Sequence, residues 1–419
     1  MKVLRFLVRS LQYGFSGGIY YWSWMAFLAV LIVLGVVSYI GQVQHGLIQT
    51  NMRDQVSWAF YIGNFTFLVG VAAAAIIVVI PAYLYDWKPI KEVVILGEIL
   101  AISAIIMCLL FVTVDLGRPE RAWHLIPFVG RLNWPSSLLA WDTLVLNAYF
   151  VLNVVIVGYL LWCAYNKKPY NSSLVVPLVL LSIPLAISIH TVTAFIYNGI
   201  PGRPFWNASI LAPRFIFSAL CSGPAILLIV FQILKRTTNF EIKDEAIWKV
   251  AELMAYAMFM NLFLLGAETF REYYSRTEHI LHFIYLFFGL GEHDALVPYA
   301  WTSVAFSVIA FVLFLVPATR RNPFTLNLGC LMIYAGVYIE KGMGLVIPGF
   351  TPSTTGVIYE YVPTWTEVAI GAGIFSIGFM VYTVLTKIAV AILVGDFASE
   401  DAVSKGEATD DIVPAVSTP

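Results

Sequence analysis

Charge is what this chain has least of. Of 419 residues only 12% are Asp, Glu, Lys or Arg, 60% are hydrophobic, and the mean hydropathy is +0.83. Soluble domains carry roughly 25% charged residues, so a soluble globular protein is excluded. Cysteine and histidine are scarce too. Cys108, Cys163, Cys221 and Cys330 lie in or beside apolar runs, and none forms a C-x-x-C or C-x-x-C-H spacing. Structural zinc, iron–sulfur ligation and covalent haem attachment are therefore not expected. Only His190 of the six histidines lies deep in an apolar run, whereas a b-type haem uses two buried axial ligands. The net charge of −1 says little about partners and gives no reason to expect nucleic acid.

What the chain has instead is ten apolar runs of the length that crosses a ~30 Å hydrocarbon core as a helix. They predict an all-α integral membrane protein with spans near 20–41, 58–84, 92–114, 137–165, 173–197, 208–234, 247–268, 297–317, 325–347 and 365–393. Barrel strands would alternate over ~10 residues. Lys2, Arg5 and Arg9 precede a first run long enough to span, with no small-residue cleavage site after it, the pattern of an uncleaved signal anchor. Residues 395–419 are polar, acidic and aperiodic, which predicts a disordered tail.

An even number of spans puts both termini on one side. Fifteen Lys and Arg fall on that side and nine opposite, a bias that predicts cytoplasmic termini in the cell membrane. The nine are Arg53, Arg118, Arg121, Arg131, Arg203, Arg214, Arg271, Arg276 and Lys341. Arginine suits planar, partly buried pairing. Asp54, Asp115, Glu120, Asp142, Glu268, Glu272, Glu278, Glu340, Glu360 and Glu367 are the acidic candidates, whether the pairs pin loops or build a site. The same side gathers Trp123, Trp134, Trp206, Tyr273, Tyr274, Tyr359, Tyr361 and Trp365. These predict an aromatic belt, either alone or doubling as a docking surface for an extracytoplasmic partner.

Ionisable residues inside spans are costly and are functional candidates by default. Glu98, Asp142, His190, Glu252 and Glu268 qualify. His190 and Tyr197, seven apart, share a helical face and could hold and deprotonate a quinol hydroxyl, because imidazole titrates near neutrality; an interhelical hydrogen bond is the alternative. Asp115 and Arg118 stand three apart where Gly117 and Pro119 end the third span, which predicts an ion pair there with Trp123 and His124 close by. His279 and His282 could ligate a metal, but no carboxylate has convincing spacing, and no metal is expected.

The run Asp115-Leu-Gly-Arg-Pro-Glu-Arg-Ala-Trp-His124 resembles the signature of the NrfD/PsrC family, the membrane subunits of polysulfide-reductase-type quinone oxidoreductases. Pro201-Gly-Arg-Pro-Phe-Trp206, Ala212-Pro-Arg-Phe215 and Ser218-Ala-Leu-Cys-Ser-Gly223 are similar to its fifth-to-sixth helix segment, and Trp58-x-x-Tyr61 leading to Phe67-Leu-Val-Gly70 resembles its first bundle helix. Ten spans, Trp141-Asp142, Tyr338-Ile-Glu-Lys-Gly342 and Tyr359-Glu-Tyr-Val-Pro-Thr-Trp365 look most like the ten-helix branch, in particular the DsrP-type subunit of the sulfite-reductase-associated DsrMKJOP complex.

The resemblance implies two four-helix bundles with flanking helices. It divides the chain into an anchor and outer loop at 1–57, a quinone-binding bundle at 58–207, a second bundle at 208–347, a loop and last helix at 348–394, and the tail at 395–419. It implies exchangeable menaquinone or menaquinol, with no haem or cluster in this chain. The implied partners are an extracytoplasmic, ferredoxin-like iron–sulfur subunit and other membrane and cytochrome subunits in the bilayer. Asp115, Arg118 and His124 fall on the family signature, while Tyr61, Asn64, Asp142, His190, Tyr197 and Arg203 are further pocket candidates. Asp115, Arg118, Asp142 and His190 are the expected reactive set, with Arg118 holding Asp115 ionised, and Glu98, Glu252 and Lys387 could line an inner proton path. A secondary transporter, or a membrane anchor without quinone chemistry, is the alternative. The Gly and Pro interruptions argue against a transporter, because they concentrate at span ends, with Pro177, Pro184 and Pro224 the internal exceptions.

Overall fold

The long helices are apolar around their whole circumference, as suits helices ringed by lipid and by one another. A computed structural model of the chain describes residues 2–126, 129–276 and 280–399. Ten helices there are long and apolar enough to cross a membrane: spans 1 to 10 are Ile19–His45, Phe60–Leu84, Val94–Asp115, Leu138–Tyr165, Ser172–Asn198, Leu211–Thr237, Asp244–Ser275, Val297–Leu315, Pro323–Phe350 and Trp365–Val394. The expected all-α fold and its ten spans are found. Spans 2 to 5 pack as one group and spans 6 to 9 as another, while spans 1 and 10 pair and lean on span 3.

The two groups meet where span 6 crosses span 2. A Cβ at Gly223 would collide with the Cβ of Ala74, so only glycine admits this approach. Small residues at crossings are how membrane helices gain contact without a hydrophobic driving force. The two sequence motifs that end at Gly70 and at Gly223 therefore face each other, with Gly70 against Ser222 and Ala219.

Two spans are less regular than expected. Span 2 tightens into a 3-10 turn at Ala73–Ala75 and widens into a π turn at Ile80–Leu84. Span 9 breaks at Gly342 (φ −84, ψ −112), between Pro323–Lys341 and Met343–Phe350. Interruptions are thus not confined to span ends, whereas Pro177, Pro184 and Pro224 sit inside continuous helices.

Before span 1 an unanticipated helix, Lys2–Gly14, exposes Leu4, Leu7, Val8 and Leu11 and buries Phe6 against Trp162 and Tyr165. An apolar stripe beside Lys2, Arg5 and Arg9 is the pattern of a helix lying in a membrane interface. Phe397 stacks on Tyr13 and the Ser399 N–H donates to the Tyr165 carbonyl, so the first and last described segments share what we call the terminus face. Residues 400–419 of the expected tail lie outside the described residues. The opposite face, where span 2 begins and span 3 ends, is the distal face.

Candidate functional site

Span 3 stops at Asp115 because Gly117 and Pro119 cannot continue it, and the chain turns into a short 3-10 helix, Pro119–Leu125. Asp115 Oδ1 is enclosed and has no hydrogen-bond partner. Arg118 does not supply one: its guanidinium is exposed and lies 3.5 Å from Glu120. The expected Asp115–Arg118 pair is absent, because the backbone turn after Leu116 carries Arg118 out to the surface. His124, half-buried, stacks on Trp123 at 3.9 Å within the same turn.

Buried Tyr61 lies near Asp115, and both feel the charge of Glu367. The Tyr61 hydroxyl donates to Gln42 Oε1 at 2.6 Å, and Gln42 Nε2 donates to the Val114 carbonyl at 2.7 Å, so span 1 braces the end of span 3. Glu367, fully buried, accepts from the Thr364 N–H at 2.8 Å, the Asn51 N–H at 3.0 Å and the Tyr361 hydroxyl. It caps span 10 and pairs with no arginine in the described contacts; Thr364-x-x-Glu367 is a capping box that the sequence could have signalled.

The second part of the site lies between spans 4 and 5. Asp142 Oδ1 and the Ile189 carbonyl are each 2.7 Å from the Thr193 hydroxyl, whose one proton can serve only one of them at a time. His190 and Tyr197 share the buried face predicted by their spacing. The Tyr197 hydroxyl meets Thr66, and Tyr197 feels the charges of Asp142 and Asp115. His190 Nδ1 lies 2.9 Å from the Ala186 carbonyl, while Nε2 is enclosed without a partner. A carbonyl accepts only, so Nδ1 carries the proton and Nε2 holds a free lone pair.

Other expected residues are engaged elsewhere. Asn64 donates to the Phe60 carbonyl at 2.7 Å and accepts from Tyr338 of span 9 at 2.9 Å, which makes it a tie between the helix groups. Arg203 sits 4.5 Å over the Phe350 ring and donates to the Phe350 carbonyl at 3.3 Å. Trp206 is not part of an aromatic belt: it is fully buried, donates to the Leu345 carbonyl at 2.9 Å, and packs with Trp58, Tyr197 and Phe350. Tyr361 is buried as well, whereas Trp123, Trp134, Tyr274 and Trp365 are exposed as a belt requires.

The suggested inner proton path does not join up in the described contacts. Both carboxylate oxygens of Glu98 are enclosed without a partner, Glu252 bonds Tyr256 at 2.7 Å near the surface, and Lys387 lies over Tyr21. His279 lies outside the described residues; His282 hydrogen-bonds the Pro348 carbonyl at 2.7 Å. Two sizeable cavities avoid the expected site residues. One, of about 530 Å³, is lined by Asn207, Ser209, Ile210, Ala267, Glu268 and Arg271 on the distal side. The other, of about 650 Å³, lies between spans 2, 6 and 7 and includes Ile80, Trp87, Phe217, Lys249 and Tyr256.

Residues 48–351 match the family model described as "Polysulphide reductase, NrfD". Over 86% of its length the chain is 26% identical to a putative dimethyl sulfoxide reductase membrane subunit of Halobacterium salinarum, covering 89% of that protein. It is 22% identical to the Hdr-like menaquinol oxidoreductase integral membrane subunit of Archaeoglobus fulgidus, covering 88% of this chain and 93% of that one. It is 21% identical to the menaquinone reductase integral membrane subunit of Nitratidesulfovibrio vulgaris, covering 82% and 85%.

Proposed function

Because this chain belongs to the NrfD, or polysulphide reductase, family of membrane subunits, we propose that it binds menaquinol or menaquinone in the distal third of spans 2 to 5. In this reading it exchanges electrons with an iron–sulfur subunit docked on the distal face, and that face is extracytoplasmic. The observation that carries the reading is the lone pair on His190 Nε2, buried and unpartnered on the helix face that also carries Tyr197 and Thr193, the residue that bonds Asp142. Orphaned buried polar atoms are costly unless something completes them. A quinol brings two hydroxyl donors, which match in kind two of the orphaned acceptors, His190 Nε2 and Asp115 Oδ1, both toward the distal ends of their spans. The relatives named for menaquinol and menaquinone support the same choice of ligand.

When bound, the quinol supplies two electrons and two protons. His190 Nε2 takes a proton from one hydroxyl as a general base, with Nδ1 held by the Ala186 carbonyl so that the imidazole keeps its orientation. Thr193 moves its proton between Asp142 and the Ile189 carbonyl, which lets Asp142 change charge without losing its partner. The rings of Trp58, Tyr197 and Trp206 exclude water from this region. Arg118 and His124 belong to the docking surface, and Asn64 and Arg203 position the helices. In this reading residues 58–207 form the quinone-binding bundle and 208–347 the second bundle.

The test is reduction of the co-purified iron–sulfur clusters by a menaquinol analogue, followed optically with and without a quinone-site inhibitor. Inhibitor-sensitive reduction supports the reading; unchanged clusters overturn it. The broken span 9 favours one rival, a secondary transporter, since unwound helices often line substrate sites. Solute uptake by vesicles in the absence of any quinol would favour that rival. An anchor without quinone chemistry predicts neither activity.

A further inference from the structure

Four charges are buried together in the second helix group. Arg214 of span 6 pairs with Glu268 of span 7 and, at 2.7 Å, with Glu340 of span 9. Lys341 Nζ lies 3.3 Å from Glu340 and 4.9 Å over the Phe215 ring, and Asn261 donates to Glu340 at 3.0 Å. The break at Gly342 leaves Lys341 at the end of a helical segment, where free carbonyls favour a cation. Two cations balance two anions. Even so, Arg214 Nε and Asn261 Oδ1 are enclosed without partners. Apolar side chains would often pack such a region at least as stably as a buried ion pair does, so stability alone does not account for the cluster.

Two further observations give it direction. Glu268 also forms part of the wall of the 530 Å³ distal cavity, beside exposed Asn207 and Ser209. A cavity of that size, with Asn207, Ser209, Glu268 and Arg271 in its wall, has the room and the polar partners that water needs. On its other side, the Phe215 ring under Lys341 packs 6.2 Å from the ring of Tyr197, which shares the buried face of span 5 with His190. The cluster therefore stands between the orphaned imidazole of the first helix group and water at the distal face.

We propose that Glu268, Glu340 and Lys341 form a proton-exchange relay joining the His190 site to the distal cavity, with Arg214 as its fixed counter-charge. This rests on the quinol reading above. Each quinol oxidised yields two electrons, which go to the iron–sulfur partner, and two protons, which leave one at a time. Lys341 gives its proton to Glu340 and takes a replacement from protonated His190. Glu340 hands the proton to Glu268, and Glu268 releases it to cavity water, so every group returns to its starting charge. The reverse sequence serves quinone reduction.

The complete complex in sealed vesicles, given a menaquinol analogue and an excess electron acceptor, tests this. With Lys341→Met or Glu268→Gln, quinol oxidation is expected to fall about a hundredfold, the order of a lost proton-transfer group. Small permeant weak acids and bases such as imidazole should restore part of the rate, and Glu268→Asp should retain most of it. Full rates in both Lys341→Met and Glu268→Gln overturn the relay. A loss that neither weak acids and bases nor Glu268→Asp relieves, or one accompanied by disassembly of the complex, assigns the cluster a structural role and also overturns it. Independently of any quinone, cysteine at Ser209 and at Ala267 should react with a membrane-impermeant maleimide added on the distal side. If Ala267→Cys stays unlabelled while Ser209→Cys reacts, the cavity is closed and the relay falls although the quinol reading stands. If the unaltered complex oxidises no quinol, the quinol reading itself fails, and the relay with it.

Discussion

The imidazole of His190 is held by the Ala186 carbonyl one helical turn earlier, at 2.9 Å from Nδ1. That bond selects the tautomer and leaves Nε2 as an enclosed acceptor without a partner. His190→Phe keeps a ring of similar bulk and removes the acceptor. Quinol-dependent cluster reduction is expected to drop roughly a hundredfold or more, as for a lost general base, while the complex assembles normally. Stopped-flow reduction of the purified complex reads this. A rate within twofold of the unaltered protein would remove His190 from the mechanism.

Asp142 and Thr193 are coupled through one hydroxyl proton. Thr193→Val deletes it while keeping the shape, leaving Asp142 Oδ1 without its partner at 2.7 Å. A group so stranded costs about 1–3 kcal/mol. Asp142→Leu removes the acceptor at similar bulk. Thermal unfolding in detergent of both single variants and the double variant forms a cycle, whose coupling term is expected to be about 0.5–3 kcal/mol. A coupling indistinguishable from zero would mean that the Thr193 proton belongs to the Ile189 carbonyl instead.

Much of this is legible in the chain, and the limits are instructive. Spans are readable because a membrane helix needs only length and apolarity, and the His190–Tyr197 face follows from helical spacing. Pairing is not. Asp115 and Arg118 stand one turn apart in sequence, but the helix ends between them, and helical spacing says nothing once the backbone leaves the helix. Arg214 and Lys341 count by position with the distal loop charges, although both lie within spans and are buried. Their partners Glu268 and Glu340 are among the acidic candidates, but which cation each one meets depends on how spans 6, 7 and 9 pack. Trp206 reads as an interfacial tryptophan because it sits in a loop motif; only the fold shows that the loop turns inward to bring it against Leu345.

The contact of Gly223 with Ala74 sets how closely the two helix groups approach. Gly223→Val is expected to destabilise the protein by about 1–3 kcal/mol, the usual cost of overpacking. Gly70→Ala should be nearly neutral, since a Cβ there would find its nearest neighbour, Ser222 Oγ, at an ordinary 3.5 Å. Thermal unfolding in detergent compares the two. Equal effects would mean that the crossing at Gly223 can relax.

Glu367 makes three hydrogen bonds from a fully buried position, so its loss should be felt in stability. Glu367→Ala strands the Tyr361 hydroxyl and the N–H groups of Asn51 and Thr364. We expect a loss of several kcal/mol, since each stranded group costs about 1–3 kcal/mol. Burial and the Glu367 carboxylate push the Tyr361 phenol well above its ordinary value. A raised folded-state value means that this contribution is complete below about pH 10, the ordinary phenol value, and is lost only as the solution becomes more alkaline. Alkaline unfolding should therefore shift to lower pH in Glu367→Ala, and an unshifted transition would contradict the assignment.

Asp115 and Arg118 share one short signature yet face different surroundings, so their variants should part company. Asp115 keeps an enclosed, unpartnered oxygen at the end of span 3, whereas Arg118 is exposed, 3.5 Å from Glu120. Exposed pairs of this kind contribute about 0–1 kcal/mol and are screened by salt. Asp115→Asn should therefore slow quinol oxidation by a small-molecule electron acceptor, with little dependence on salt. Arg118→Gln should leave that reaction within about twofold, the scale expected for an exposed charge. If Arg118 faces the partner subunit, its variant should weaken retention of that subunit, most visibly at low ionic strength, where screening is least. Subunit retention on a gel-filtration column at two salt concentrations, alongside the acceptor assay, separates the two roles. Matched losses in the acceptor assay would show that Arg118 reaches Asp115 after all, through a rearrangement of the 119–125 turn.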